Sequence, residues 1–199
     1  MDNFRTEVYP DSDPTTPTGK PAGLRHFLLD VVETILLSVV LFLGINAISA
    51  RIRVESISMQ PTLYAGNFVI VNKLAYKLGT PGRGDVIIFH YPPDPTREPY
   101  IKRVIGLPGD KVSVSGSKVY VNGEALVEPY ISAPPAYEGT WDVPAHALFV
   151  LGDNRNSSSD SHSWGMVPLK NVIGKAEVVY WPPQSWQLLN QATAVAAEP

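Results

Sequence analysis

The chain has 199 residues, no cysteine and a formal net charge of −3, which excludes disulfides, thiolate metal sites and a cysteine nucleophile. Its 16 lysines and arginines are scattered rather than clustered, so the basic footprint of a nucleic-acid binder is missing and no nucleic acid is expected as a partner. The four histidines, His26, His90, His146 and His162, show no ligand-like spacing, and neither a metal nor another cofactor is expected.

Residues 1–24 contain DSDPTTPTGKPAG, rich in Pro, Thr, Asp and Gly, with too little to bury to offset the entropy of ordering. They read as a disordered tail. Residues 25–51 read as an anchor, because 17 residues between Glu33 and Arg51 carry no formal charge. A bilayer core about 30 Å thick takes about 20 helical residues, so a spanning helix is the first reading. Asp30 and Glu33 stand near its N-terminal end, where the helix dipole and headgroup water tolerate acids. A cleaved signal peptide fits poorly with the long polar prefix. A buried core helix would present more apolar surface than so small a domain can cover. Lys20 and Arg25 before the span are matched by Arg51 and Arg53 after it, so charge leaves the orientation open.

From residue 52 the pattern changes to strands. FVIVNKL at 68–74, GDVIIFHY at 84–91, YIKRVIGL at 100–107, ALFVLGD at 147–153 and VIGKAEVVYW at 172–181 are β-branched and aromatic runs bounded by Gly, Pro, Asp and Asn. KVSVSG and KVYVNG, around residues 111–123, predict a hairpin turning through Ser115-Gly-Ser117. Residues 52–186 therefore form a mainly β, antiparallel domain, and residues 187–199 a C-terminal tail.

The chemistry concentrates in three segments. In ESISMQPTL, residues 55–63, Pro61 biases Gln60 toward an extended or turn conformation, which presents Ser58 from a stiff turn. A serine needs a base, and no histidine sits in a triad-like pattern. Lys102, in the strand-like run PYIKRVIGL, is the exception: burial there lowers a lysine's pKa and lets the neutral amine take a proton. A lysine snorkelling at a strand edge is the plainer reading of that segment alone. The third segment, LGDNRNSSSDSHSWGMVP at 151–168, reads alone as a solvated loop, although Trp164 and the flanking strands argue that it packs.

Taken in order after an anchor, ESISMQPTL, RGDVIIFHYP, YIKRVIGLPGD and GDNRNSSSDSHSWGMVP resemble the type I signal peptidases, the bacterial leader peptidases with a Ser-Lys dyad, in their compact form. The resemblance spans most of residues 27–168. It implies a compact antiparallel β domain of the signal-peptidase type behind one transmembrane helix. It further implies a membrane-bound serine endopeptidase that removes N-terminal signal peptides from exported preproteins after an Ala-x-Ala-like site.

By that resemblance Ser58 is the nucleophile and Lys102 the general base, with the Ser56 hydroxyl and the Ser58 backbone N–H forming the oxyanion hole. Ser158 orients the lysine, Asp160 supports its loop, and Arg103 with Asp153 forms a structural ion pair. Val54, Met59, Leu63, Tyr100 and Ile101 line the pockets for the small substrate residues, the substrate entering as an added strand. The partners implied are signal peptides and the lipid bilayer, and the enzyme is expected to act as a monomer. The resemblance implies a bacterial plasma membrane or a thylakoid membrane, the N-terminus cytoplasmic and the catalytic domain on the trans side. Phe89, Tyr91, Trp181 and Trp186 then belong either to the headgroup region or to the core.

Asn156, Ser157 and His162 depart from the usual Asp-Asn pair and arginine of the last motif, which puts in question only the ion pairing around Asp160. A self-cleaving Ser-Lys regulator of the repressor kind would need a DNA-binding helical module where this chain has its tail and apolar span. A non-catalytic anchored binding module would not need the set Ser58, Lys102, Ser56 and Ser158.

Overall fold

The computed structural model describes residues 23–189 and 194–195. The tail expected at residues 1–24 thus lies outside the described residues apart from Gly23 and Leu24, and so does most of the one expected at 187–199.

The first helix, α1 (Leu24–Ile48), has 25 residues and none of them is buried. At 1.5 Å per residue it is roughly 37 Å long, enough for a hydrocarbon core of about 30 Å, and its composition is apolar enough to cross a membrane. Its few hydroxyls are satisfied within the helix, Thr34 donating to the Asp30 carbonyl at 2.7 Å and Ser38 to the Thr34 carbonyl at 2.7 Å. Helix gives way to strand at Ser49, ahead of Arg51, because residues 49–53 pair with a neighbour from Ser49↔Asn72 to Arg53↔Phe68.

The remaining chain is organised by two antiparallel sheets. The first contains β1 (Ser49–Arg53), β2 (Phe68–Asn72), β3 (Val86–Phe89), β4 (Tyr100–Gly106), β9 (Ala147–Leu151), β10 (Val167–Pro168), β11 (Val172–Trp181) and β12 (Gln187–Leu188). Its order is β1-β2-β11-β3-β4-β9-β10, with β12 paired to β11. The second sheet contains β5 (Lys111–Ser115), β6 (Lys118–Val121), β7 (Glu124–Val127), β8 (Gly139–Asp142) and β13 (Ala194–Val195), in the order β13-β7-β6-β5-β8. Two one-turn helices, α2 (Ala75–Leu78) and α3 (Ser161–Trp164), interrupt the strands.

The hairpin β5–β6 turns at Gly116 and Ser117, with φ of 54° and 62°. Two consecutive positive φ values match the right-handed twist of the flanking strands, which makes this two-residue connection compact. One core cluster packs Val54, Met59, Leu63, Val69, Val71, Val86, Ile88, Ile101, Ala176 and Val179. A second fills the space beside β5 and β6 with Ile105, Val112, Val114, Val119, Val121, Phe149 and Leu151. Phe89 is fully buried in a third, so it is a core residue rather than a headgroup one, whereas Trp181 and Trp186 are exposed.

Inside this framework Arg103 and Asp153 are 1% and 0% exposed. The guanidinium donates to both Asp153 oxygens, Nε at 2.8 Å and Nη2 at 2.7 Å, and Nη1 donates to the Gly84 carbonyl at 2.9 Å. Thr62 Oγ1 donates to Asp153 Oδ2 at 2.5 Å, and the Tyr130 ring lies 3.9 Å from the guanidinium carbon. Removing one partner leaves an uncompensated buried charge. Arg103→Met is therefore expected to lose about 3–5 kcal/mol of stability, measured by urea unfolding of the detergent-solubilised chain. Adding Asp153→Leu should recover part of that loss.

Candidate active site

Ser58 sits on a turn that its apolar neighbours hold in place. Met59 and Leu63 are fully buried, and the turn closes through Gln60 N–H to the Ile57 carbonyl at 3.2 Å and Leu63 N–H to the Met59 carbonyl at 2.8 Å. Its outer side is fastened to the segment after β9, where Asn154 N–H donates to the Ser58 carbonyl at 3.0 Å and Asn154 Nδ2 to the Ile57 carbonyl at 3.3 Å. Sequence pattern alone does not mark Gly152 or Asn154 as site residues. The only hint was their place in LGDNRN.

Lys102 approaches from β4. Successive strand residues point to opposite faces, so Lys102 and Arg103, both buried, serve two different environments. Lys102 Nζ lies 2.6 Å from Ser58 Oγ and 3.1 Å from the Ile101 carbonyl, to which it donates. Ser58 and Lys102 are 6% and 4% exposed. Burial pulls the lysine down to about 8, outweighing the opposite pull of the Asp160 and Asp153 charges. A nucleophile beside an amine that sheds its proton near neutral pH can attack an acyl carbon and pass its proton to the amine.

The remaining expected residues fall into three groups. Ser56 Oγ stands 3.1 Å from Ser58 Oγ, within the same small space. Asp160 is fully buried; its Oδ2 accepts from Gly152 N–H at 2.9 Å, and its Oδ1 lies 2.6 Å from His162 Nδ1. His162 thus takes the partner role expected of a basic residue, and its ring stacks on Tyr137 with centroids 4.0 Å apart. Asn156 does something different: Oδ1 accepts from Ala136 N–H at 2.8 Å and Nδ2 donates to the Pro134 carbonyl at 2.9 Å, pinning a neighbouring loop. Ser158 differs from expectation, since its Oγ is buried without a hydrogen-bond partner and makes no bond to Lys102.

A cavity of about 760 Å³ opens over the pair, lined by Ile52, Val54, Ser56, Ser58, Tyr100, Ile101 and Lys102, with Arg51, Arg53, Glu55 and Glu98 among the further lining residues. Val54, Tyr100 and Ile101 of the expected set therefore line the cavity. Met59 and Leu63 do not: both are wholly enclosed in the core and hold the serine turn from behind. A buried pair from outside the expected set, Arg155 with Glu128 at 2.6 Å, ties the loop of Asp153 and Asp160 to the segment after β7. Sequence gave no sign of it, because the two residues are 27 positions apart. Among the described residues there is no cluster of His, Asp or Glu able to hold a metal ion.

A mainly antiparallel β domain behind an apolar helix holds a buried serine against a buried lysine. The chain belongs to the signal peptidase family, peptidase S26, whose model matches residues 28–181. It is 47% identical over 182 residues to a signal peptidase I of Leptolyngbya laminosa, covering 85% of this chain and 89% of that one. To a probable signal peptidase I-2 of Synechocystis sp. it is 44% identical over 191 residues, covering 92% and 87%. A probable thylakoidal processing peptidase 2 of Arabidopsis thaliana is 40% identical over 145 residues, 69% of this chain and 40% of that one. A crystal structure of a signal peptidase I from Enterococcus faecalis V583 matches with a TM-score of 0.45 at 32% identity, covering 49% of this chain and 97% of that chain. The resemblance carried by the four motifs is borne out.

A Cβ at Gly152 would run into Ser158 Oγ and the Ser58 carbonyl, far inside van der Waals contact. Gly152→Ala should therefore displace the Ser58 turn and lower kcat/KM for peptide cleavage by about 100-fold. Circular dichroism and a thermal melt should show that the fold persists.

Proposed function

We propose that this protein is a membrane-anchored serine endopeptidase that removes N-terminal signal peptides from exported preproteins, cutting after an Ala-x-Ala-like site with Ser58 as nucleophile and Lys102 as general base. The observation that carries the reading is the 2.6 Å approach of Lys102 Nζ to Ser58 Oγ at the floor of a cavity.

In the proposed reaction Ser58 Oγ attacks the scissile carbonyl while its proton passes to the neutral amine of Lys102. The oxyanion is held by the Ser56 hydroxyl and the Ser58 backbone N–H. The ammonium so formed, stabilised by the nearby Asp160 and Asp153 charges, returns its proton to the departing amine. That leaves an ester on Ser58. Lys102 then takes a proton from water, the hydroxyl adds to the ester carbonyl, and collapse releases the signal peptide's new carboxyl group while the Lys102 ammonium returns its proton to the departing Ser58 Oγ, restoring the serine and the neutral amine.

Ser158, next to the same turn, has a hydroxyl free to meet the lysine or the water once substrate binds. Asp160 supports its loop. The cavity's two walls are the end of β1 with Val54 on one side and the start of β4 with Tyr100 and Ile101 on the other. β9 pairs with β4 only from Arg103 onward. An extended peptide laid between these walls can add main-chain hydrogen bonds while its alternate side chains enter shallow apolar pockets. Such pockets fit small residues at the first and third positions before the cut.

The apolar α1 supports a membrane span, for which the proposed arrangement is an N-terminus on the cytoplasmic side and the domain on the trans side of a bacterial plasma membrane or a thylakoid membrane. Similarity to bacterial and thylakoidal relatives supports both locations. The exposed Trp181 and Trp186 suit an interfacial position. A single chain holds all the proposed catalytic groups, consistent with a monomer.

Three measurements test the reading. Purified protein should cut a peptide with an Ala-x-Ala site, and Ser58→Ala and Lys102→Met should each abolish cutting; normal turnover by Lys102→Met would overturn the mechanism. Ser56→Ala should lower kcat by about 10²–10³-fold, the usual cost of one oxyanion donor. Because the base acts neutral and is protonated below about 8, kcat/KM should rise with pH through about 8 and level off above it. A profile flat across that range would remove Lys102 from the role of base.

A further inference from the structure

Tyr91 does not line the cavity, yet it is packed against a residue that does. Its ring stacks on Tyr100 with centroids 4.7 Å apart and planes 16° from parallel. It meets Trp164 edge-on at 5.5 Å and 89°, and the Arg97 guanidinium lies 5.5 Å from its centroid on another side. Phe89 closes the group, 6.2 Å from Tyr100 and 6.0 Å from Trp164.

Tyr100 and Lys102 are two residues apart on β4 and share a face of the strand. The lysine Nζ accordingly lies 5.5 Å from the Tyr100 centroid, and both residues line the cavity. The Tyr100 ring is thus at once a wall of the substrate space and part of the apolar surround of the amine. A lone tyrosine at the end of a strand could swing out; this one is backed by the Tyr91 stack, with Phe89 at its edge and Arg97 also interacting with its side chain.

The segment that carries Tyr91 is braced independently. Asp94 N–H donates to the Tyr91 carbonyl at 3.1 Å, the Asp94 carboxylate accepts from Thr96 N–H at 3.2 Å and Thr96 Oγ1 at 2.6 Å, and Arg97 Nε reaches it at 3.3 Å. The same segment ends in Glu98 and Pro99, which also line the cavity. Trp164 closes α3, whose N-cap is Asp160. Tyr91 therefore joins one cavity wall to the segment bearing Asp160, whose charge acts on the lysine.

We infer that Tyr91 is a positioning residue for peptide cleavage, its ring holding Tyr100 in place as a wall of the substrate space and as the water-excluding cover of Lys102. The inference rests on the proposed Ser58–Lys102 chemistry. It needs a flat ring at residue 91 and not the hydroxyl.

The test compares wild type, Tyr91→Phe and Tyr91→Leu as full-length protein in detergent, cleaving one Ala-x-Ala peptide from about pH 6 to about pH 10. Tyr91→Phe should match wild type. Tyr91→Leu should lose about tenfold in kcat/KM, mainly through KM. The midpoint of its pH profile should move upward from about 8, because water reaching the amine favours its charged form. Should Tyr91→Leu fail to fold, Tyr91→His, a smaller and more polar ring, is read for the same changes at reduced size. A Tyr91→Leu protein that melts lower but keeps its KM and its pH midpoint would make the residue merely structural and overturn the inference, as would a Tyr91→Phe protein as impaired as Tyr91→Leu. Cleavage lost in Ser58→Ala and Lys102→Met, with Tyr91→Leu unchanged, would sink the inference while leaving the dyad standing. Cleavage that survives Lys102→Met would bring down both.

Discussion

The interaction on which the other parts depend is the buried pair of Arg103 and Asp153. Arg103 follows Lys102 on β4, and Asp153 belongs to the loop whose next residue, Asn154, holds the Ser58 carbonyl. Thr62, bonded to the same carboxylate, belongs to the serine's own turn. One ion pair therefore ties the strand of the proposed base, the turn of the proposed nucleophile and the loop between them. A buried pair adds little net stability over apolar packing, but its geometry is demanding. That demand suits the proposed chemistry, because a proton transfer over 2.6 Å does not tolerate much drift.

The neighbouring residue obeys the opposite rule. Arg103 is buried with a full carboxylate partner, whereas Lys102 is buried against a hydroxyl and a carbonyl, with the Asp160 and Asp153 charges acting from farther off. Burial then outweighs attraction. A lysine with its pKa at about 8 rather than 10.5 carries a neutral amine in about one molecule in ten at pH 7, against about one in three thousand for an ordinary lysine. The difference between two adjacent cations, one structural and one suited to chemistry, lies in the partners that the pleat of a single strand gives each of them.

The secondary structure was largely legible. The runs at 68–74, 84–91, 100–107, 147–153 and 172–181 all contain strands, and the hairpin turns where Ser115-Gly-Ser117 indicated. β7 and β8 are not marked by the sequence pattern because EALV and GTWD are short, mixed in character and stabilised by their neighbours. β1 was absorbed into the apolar span, since composition does not mark where a helix yields to a strand whose pairing partner lies elsewhere in the chain.

Sequence by itself determined the chemical inventory: one serine on a proline-stiffened turn, one lysine in an apolar strand, an apolar helix ahead of both, and no thiol. Residue types and short-range pattern suffice for that, because burial tendency and turn preference are local properties. Only the tertiary structure decided which groups meet. It joined Ser58 to Lys102 across 44 positions, withdrew Met59 and Leu63 into the core, left the Ser158 hydroxyl unbonded, gave Asp160 a histidine partner and set Tyr91 behind Tyr100. Those outcomes turn on register and packing between distant segments, where a displacement of one residue reverses the face a side chain occupies.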